Sequence, residues 1–183
     1  MLSLGLFPVA PVSIDDIISH NNTCVNSHGD KACRLGYAIF MAEKILLASD
    51  HGGFQLKAHL LAHLTKQGFT CIDLGTDSDT SVDYPDYAQK LARIMQDDAD
   101  AKGILLCGSG IGISMAANRF AHIRAALCHD VTSAKLSRQH NDANVLCLGG
   151  RLVGPTLAVE IVTTFLSTAF EGGRHAARLV KMS

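Results

Sequence analysis

The chain has 183 residues, 48% of them hydrophobic, and a formal net charge of −1. That length suits one domain with a substantial core, and that apolar content excludes general disorder. A near-neutral chain without a long basic stripe disfavours nucleic acid and anionic membrane as partners, and no apolar run is long enough to cross a bilayer.

Residues 1–40 contain Pro8, Pro11 and the polar run Asn21-Asn22-Thr23, with no sustained periodicity. They lack the basic start and continuous apolar stretch of a secretory signal. Residues 1–43 therefore read as a weakly packed or disordered extension ahead of a folded domain over 44–183. Met41, just before the first strong strand, is an alternative translation start.

From Lys44 onward, apolar runs alternate with helical patterns. Ile45–Ser49 reads as a strand, followed by an amphipathic helix through Phe54, Ala58, Leu61 and Leu64 that Gly68 ends as a capping glycine. Phe69–Leu74 is the next strand, and Gly75–Asp83 a polar loop. Pro85 suits the first turn of a helix whose apolar face is Tyr87, Leu91, Ile94 and Met95. Gly103–Cys107 is the third strand, Ile111–Asn118 a short helix, Ile123–Cys128 the fourth strand and Val131–Gln139 a helix. Val145–Leu148 is the fifth strand. A long helix over Pro155–Phe170 presents Leu157, Ile161 and Phe165 on one side, and a last short helix begins near Gly173.

Such alternation predicts an α/β fold, a Rossmann-like three-layer sandwich with a five-stranded parallel sheet. Right-handed crossovers put every strand's carboxyl end on one edge, where ligands bind. Asp50-His51, Cys107–Gly112, His129-Asp130 and Gly149-Gly150-Arg151 all fall at that edge. Cys24, Cys33, Cys71, Cys107, Cys128 and Cys147 lack paired spacing, and four of them lie in or beside apolar runs. This suits free thiols in a reducing compartment, and no Cys-x-x-Cys or His-x-x-x-His spacing suggests zinc.

The central motif is Cys107-Gly108-Ser109-Gly110-Ile111-Gly112. Three glycines in five residues are unfavourable unless backbone approaches a ligand or takes positive φ. A buried strand delivers a thiol to its carboxyl end, and backbone N–H groups at a helix start can hold an oxyanion and favour thiolate. The motif lacks the third glycine of the dinucleotide fingerprint, so a nicotinamide cofactor is disfavoured. Ser49-Asp50-His51-Gly52-Gly53 could orient hydroxyls and phosphate, or Asp50 could merely cap the next helix. The cluster Arg138–Asn144 contains His140, a group that exchanges protons near neutral pH, but also reads as a surface turn. Arg174 and Arg178 share one helix face and suit a phosphate; solvated charge is the plainer reading.

Taken together, Ser-Asp-His-Gly-Gly (49–53), Asp-Tyr-Pro-Asp-Tyr-Ala (83–88), Cys-Gly-Ser-Gly-Ile-Gly-Ile-Ser (107–114), Ala-Ala-Asn-Arg (116–119), Ser-Arg-Gln-His-Asn-Asp-Ala-Asn (137–144) and Glu-Gly-Gly-Arg-His (171–175) resemble the ribose-5-phosphate isomerase B family, which includes sugar-phosphate isomerases of the lactose and allose pathways. The resemblance implies a cytoplasmic aldose–ketose isomerase of the non-oxidative pentose phosphate pathway. It implies no metal or organic cofactor, and a homodimer or higher oligomer with its active site at the subunit interface. It makes Cys107 the base that moves a proton between C1 and C2, and Gly108, Ser109, Gly110, Ile111 and Gly112 the holders of the enediolate oxygens. His140 would open the furanose ring, Asp50 would meet substrate hydroxyls, and His51, Arg174 and Arg178 would hold phosphate. Asn141 and Arg151 match further substrate contacts. One branch of the family carries a glutamate base within the glycine loop; Ile113 stands there, which places this chain in the cysteine branch. A six-carbon substrate such as allose or galactose 6-phosphate is the alternative, and a non-catalytic sugar-phosphate sensor a more distant one.

Overall fold

A computed structural model describes residues 44–182; the expected N-terminal extension and Met41 lie outside them. Five strands and six helices alternate: β1 (Lys44–Ser49), α1 (Phe54–Lys66), β2 (Thr70–Asp73), α2 (Tyr84–Gln96), β3 (Lys102–Cys107), α3 (Ile111–Ala117), β4 (Ala125–Leu127), α4 (Val131–Asn141), β5 (Val145–Gly149), α5 (Pro155–Ser167) and α6 (Arg174–Leu179). The sheet is wholly parallel, in the order β2-β1-β3-β5-β4. The α/β three-layer fold expected from the strand–helix alternation is the one observed.

The two faces of the sheet follow from the period-2 alternation of strand side chains. Ile45, Leu47, Ile104, Leu106, Leu146 and Leu148 point to one face, against Leu56, Leu60 and Leu64 of α1, Ala134 of α4 and Ile161 and Phe165 of α5. Leu46, Ala48, Leu105, Cys107, Val145 and Cys147 point to the other, against Leu91 and Met95 of α2 and Ile113 and Ala117 of α3. The central strands are apolar on both faces, as buried parallel strands are. Each fully buried Leu or Ile contributes about 1.5–3 kcal/mol of transfer free energy.

Three local expectations need correction. In α1 the buried stripe is Leu56, Lys57, Leu60 and Leu64, while Ala58 is exposed. Lys57 enters the interior because its ammonium donates to Asp73 Oδ1 and stands 5.9 Å from the centre of the Phe54 ring. In α5, Leu157 is exposed and the helix ends at Ser167, three residues before Phe170. The fourth strand keeps only Ala125–Leu127, with Ile123 buried in the turn before it. The capping glycine is where expected: α1 ends at Lys66, Gln67 is its C-cap residue, and Gly68 follows with φ +91°.

Candidate active site

The strand order brings the loops after β1, β3 and β5 together. Asp50 N–H donates to Leu106 O at 3.1 Å, Gly150 N–H to Cys107 O at 2.8 Å, and Arg151 N–H to Gly108 O at 3.0 Å. The approach is so close that a Cβ on Gly150 would stand 2.5 Å from Gly52 O. Only glycine permits this meeting of backbones.

These loops, with the starts of α2 and α3, border an open cavity of about 440 Å³ lined by Asp50, His51, Gly52, Tyr84, Cys107, Gly108, Ser109, Gly112, Arg151 and Leu152. Cys107 is buried, 4% exposed, at the last position of β3. Its Sγ accepts a hydrogen bond of 3.1 Å from the backbone N–H of Gly110. Gly110 takes φ +78° to present that amide and to start α3. Ile111 N–H is taken by Ser109 Oγ at 3.3 Å. Any oxyanion cradle is thus left to the amides of Gly108, Ser109 and Gly112, the loop residues that line the cavity.

Asp50 Oδ1 accepts from the N–H groups of Gly52 at 2.8 Å and Gly53 at 3.1 Å, directly before α1. The capping role and the site role therefore coincide: one oxygen fixes the loop while the residue lines the cavity. His51 Nδ1 lies 3.2 Å from Val82 O and 3.3 Å from Val82 N, so the Gly75–Asp83 loop holds the imidazole by that nitrogen whichever tautomer is present. The Arg151 side chain runs past Gly108, where an added Cβ would be 3.6 Å from its Nη1. Tyr84 lies over α3; a Cβ on Gly112 would stand 2.7 Å from its ring. Tyr84 and Leu152 are lining residues to which the sequence reading gave no role. The 83–88 motif was the available signal for Tyr84; Leu152 carries none.

Seven of the thirteen expected site residues line this cavity: Asp50, His51, Cys107, Gly108, Ser109, Gly112 and Arg151. Gly110 acts from behind, through the sulfur, and Ile111 is exposed on α3. His140, Asn141, Arg174 and Arg178 are not among the lining residues. They belong to a second group, where the end of α4 meets α6. There the His140 and His175 rings stack with centroids 4.3 Å apart and planes 5° apart, and Glu171 Oε2 lies 4.0 and 3.8 Å from their Nε2 atoms.

The polar cluster 138–144 divides by role. Asp142 closes α4 in the left-handed conformation, φ +44°, and accepts from Arg138 at 2.8 Å and Arg124 at 2.7 Å. Asn144 Oδ1 accepts from Arg124 N–H, and its Nδ2 donates to His122 O. Arg138, Asp142 and Asn144 thus build the turn, and His140 and Asn141 stand free of that scaffold. Asp130, flagged at the sheet edge, caps α4 by accepting from Ser133 N–H at 2.8 Å.

Among the described residues, one group could offer three ligands to a metal ion: His140, Glu171 and His175, with ligand atoms within 4.8 Å of one another. Parallel stacked rings aim their nitrogen lone pairs along parallel planes, so one ring must turn before both could meet an ion. His59 and His63, at i, i+4 on α1, do form a His-x-x-x-His spacing, but among the described residues no third ligand joins them. A larger hollow of about 530 Å³ beside β4 and α6 includes Asn141 but neither Cys107 nor Asp50, and its one charged lining residue, Arg124, is paired with Asp142. No described helix is long and apolar enough to cross a membrane.

A doubly wound parallel sheet with a thiol, a carboxylate, an imidazole and a glycine-rich turn around one carboxyl-edge cavity defines an α/β protein with an acid–base site of the kind enzymes use on small polar molecules. The match to known proteins is specific. Residues 45–182 fit the model of the Ribose/Galactose Isomerase family, and the chain belongs to that family. It is 50% identical over 137 residues to ribose-5-phosphate isomerase B of Escherichia coli, covering 75% of this chain and 92% of that protein. It is 50% identical over 143 residues to the probable ribose-5-phosphate isomerase B of Mycoplasma pneumoniae, covering 78% and 94%. Among solved structures it is similar to ribose 5-phosphate isomerase B of Thermotoga maritima, with TM-score 0.75, 51% identity and coverage of 76% and 97%. It is also similar to the Mycoplasma genitalium enzyme with bound ribulose-5-phosphate, with TM-score 0.75, 43% identity and coverage of 78% and 95%.

Proposed function

We propose that this protein is an aldose–ketose isomerase that interconverts ribose 5-phosphate and ribulose 5-phosphate, with Cys107 as the base. The observation that carries this reading is Cys107 itself: a buried thiol that lines a cavity together with Asp50, His51, Arg151 and the glycine loop. The relatives named above supply the substrate class.

The chemistry follows from the groups present. His140 gives a proton to the ring oxygen as the C1–O4 bond breaks and takes one from the anomeric hydroxyl, giving the open-chain aldehyde. The Cys107 thiolate takes the proton from C2. Negative charge develops on O1 and is met by the amides of Gly108, Ser109 and Gly112. Cys107 then returns the proton to C1, and a proton moves from O2 to O1, completing the ketose. One base on one face suffices for a cis-enediolate. Asp50 orients hydroxyls, and Asn141 and Arg151 contact the sugar. His51, Arg174 and Arg178 hold the phosphate remote from the reacting carbons, where binding energy serves positioning.

In this reading the active site is completed by a second copy of the chain. His140, Asn141, Arg174 and Arg178 stand apart from the cavity lining, and a homodimer delivers the second group of one copy to the cavity of the other. Apolar side chains on and beside the cavity rim support such an interface: Tyr84, Ile111, Met115 and Leu152 are all substantially exposed.

Subunit mixing tests both proposals. Cys107→Ala and His140→Ala homodimers are each expected to be nearly inactive. Denatured together and refolded, they recover about a quarter of wild-type turnover, because each heterodimer regains one intact composite site. No recovery from correctly mixed dimers rejects the shared site. A Cys107→Ala enzyme with near-normal turnover rejects the assigned base.

A further inference from the structure

We propose that His175 is a positioning residue, whose buried ring stacks on His140 and holds that imidazole in one orientation for ring opening. The inference rests on the reading that His140 performs this step. His175 has no part in that reading, and the sequence offered no role for it beyond its place in the 171–175 motif.

The local architecture is built to create the stack. Glu171 N–H donates to Gln139 O at 3.0 Å, which ties the segment before α6 to the last turn of α4. Gly172 and Gly173 then take φ +66° and +54°. A Cβ at either would meet nothing within 4 Å, so glycine is needed there for its backbone conformation and not for space. His175 N–H closes the turn on Gly172 O at 3.0 Å. The result places His175 under His140, with the His175 side chain 8% exposed and that of His140 38% exposed. One face of the His140 ring is covered by the neighbouring ring and the rest is open to a substrate. A histidine at the end of a helix otherwise has free rotation about its side-chain bonds. A flat contact at 4.3 Å removes most of it before substrate binds.

The charges around the stack favour the same division of labour. The groups that face His175 are His140, Arg174, Arg178 and Glu171. Burial, followed by the nearby His140, Arg174 and Arg178, pushes the His175 imidazole below its ordinary range; Glu171 pulls the other way. Burial and these cationic neighbours thus disfavour charge on the ring that lies against His140. Glu171 Oε2 lies 4.0 Å from His140 Nε2 and 3.8 Å from His175 Nε2, so one carboxylate borders both rings.

The test compares His175→Ala with His175→Phe in the full chain, using two readouts. One is conversion of cyclic ribose 5-phosphate to ribulose 5-phosphate. The other is exchange of the C1 hydrogen of ribulose 5-phosphate with D2O, followed by NMR. Exchange needs the Cys107 proton transfer but no ring opening, because ribulose 5-phosphate cannot close a furanose ring. His175→Ala is expected to lower conversion roughly 10- to 100-fold and leave exchange within about twofold, while His175→Phe, which keeps a flat ring, restores most of the conversion. Unchanged conversion in His175→Ala, an equal loss in both readouts, or no rescue by His175→Phe each overturns the proposal. His140→Ala serves as the control on the underlying reading. If it converts ribose 5-phosphate at the wild-type rate, the ring-opening assignment itself fails. If it is slow and His175→Ala is not, only the positioning role fails.

Discussion

The backbone N–H of Gly110 donates to Cys107 Sγ at 3.1 Å, and it does so because Gly110 holds φ +78° in a space with no room for a side chain. A Cβ there would stand 2.5 Å from Leu127 Cδ1 and 2.8 Å from the Leu148 carbonyl carbon. Gly110→Ala combines left-handed strain with overpacking and is expected to destabilise the fold by about 2–4 kcal/mol. Turnover should fall as well, as the amide leaves the sulfur. Urea unfolding and steady-state kinetics on the same preparation check both; a variant as stable as wild type refutes the steric account.

On the role proposed for Cys107, removing its sulfur removes the base. Cys107→Ala is expected to lose roughly 100- to 10,000-fold in turnover, the range of general-base deletions. Ser109→Ala should do far less, because the role proposed for the loop runs through backbone amides. Comparable losses in the two variants contradict that division.

The four described cysteines differ in reactivity for physical reasons. Burial pushes the thiols of Cys71 and Cys128 up from their ordinary range. Cys147, wholly buried, is driven far higher by burial and by the neighbouring Cys107 and Cys128. Cys107 alone of the four lines the cavity. Brief iodoacetamide treatment of the folded protein, mapped by peptide mass spectrometry, is expected to label Cys107 before the other three. Ribose 5-phosphate should slow that labelling. Equal labelling of Cys71 or Cys128 runs against the prediction.

His175 also makes stability depend on pH, with a definite sign. Its folded-state pKa lies below the unfolded value because burial and nearby cationic groups disfavour the imidazolium. The unfolded chain therefore binds the proton more readily. Stability from this residue is full above the unfolded pKa, about 6.5, and is lost as pH falls through that value toward the folded pKa. Relative to wild type, His175→Phe is expected to lose less melting temperature between pH 7.5 and 5.5. A steeper pH dependence in the variant reverses the sign and rejects the argument.

Arg174 is exposed at the first turn of α6. Losing one charge-assisted contact to phosphate should raise KM for ribose 5-phosphate roughly 10- to 100-fold in Arg174→Ala. The melting temperature should barely change, since the side chain packs little surface. An unaltered KM removes Arg174 from the phosphate site.

Much of the architecture was legible because local patterns carried it. Apolar runs such as Ile104–Leu106 can only be central strands when both sheet faces are covered, and Gly68 and Pro85 mark helix ends by their own backbone chemistry. The glycine loop after Cys107 was legible for the same reason, since Gly110 needs its conformation whatever surrounds it. The helix faces of α1 and α5 were less so. Lys57 reads as a surface residue until Asp73, sixteen positions away, is found to pair with it, and Leu157 reads as core until the turn of α5 exposes it.

What the sequence determined by itself was the succession of elements and the chemical types at each loop, because strand alternation, helix periodicity and glycine conformations are properties of neighbouring residues. Tertiary structure decided that β5 lies between β3 and β4, that the loops after β1, β3 and β5 therefore meet around one sulfur, and that His140 rests on His175 apart from it. Those relationships join residues far apart along the chain. They depend on how the whole sheet buries its two faces, which no short stretch of residues encodes.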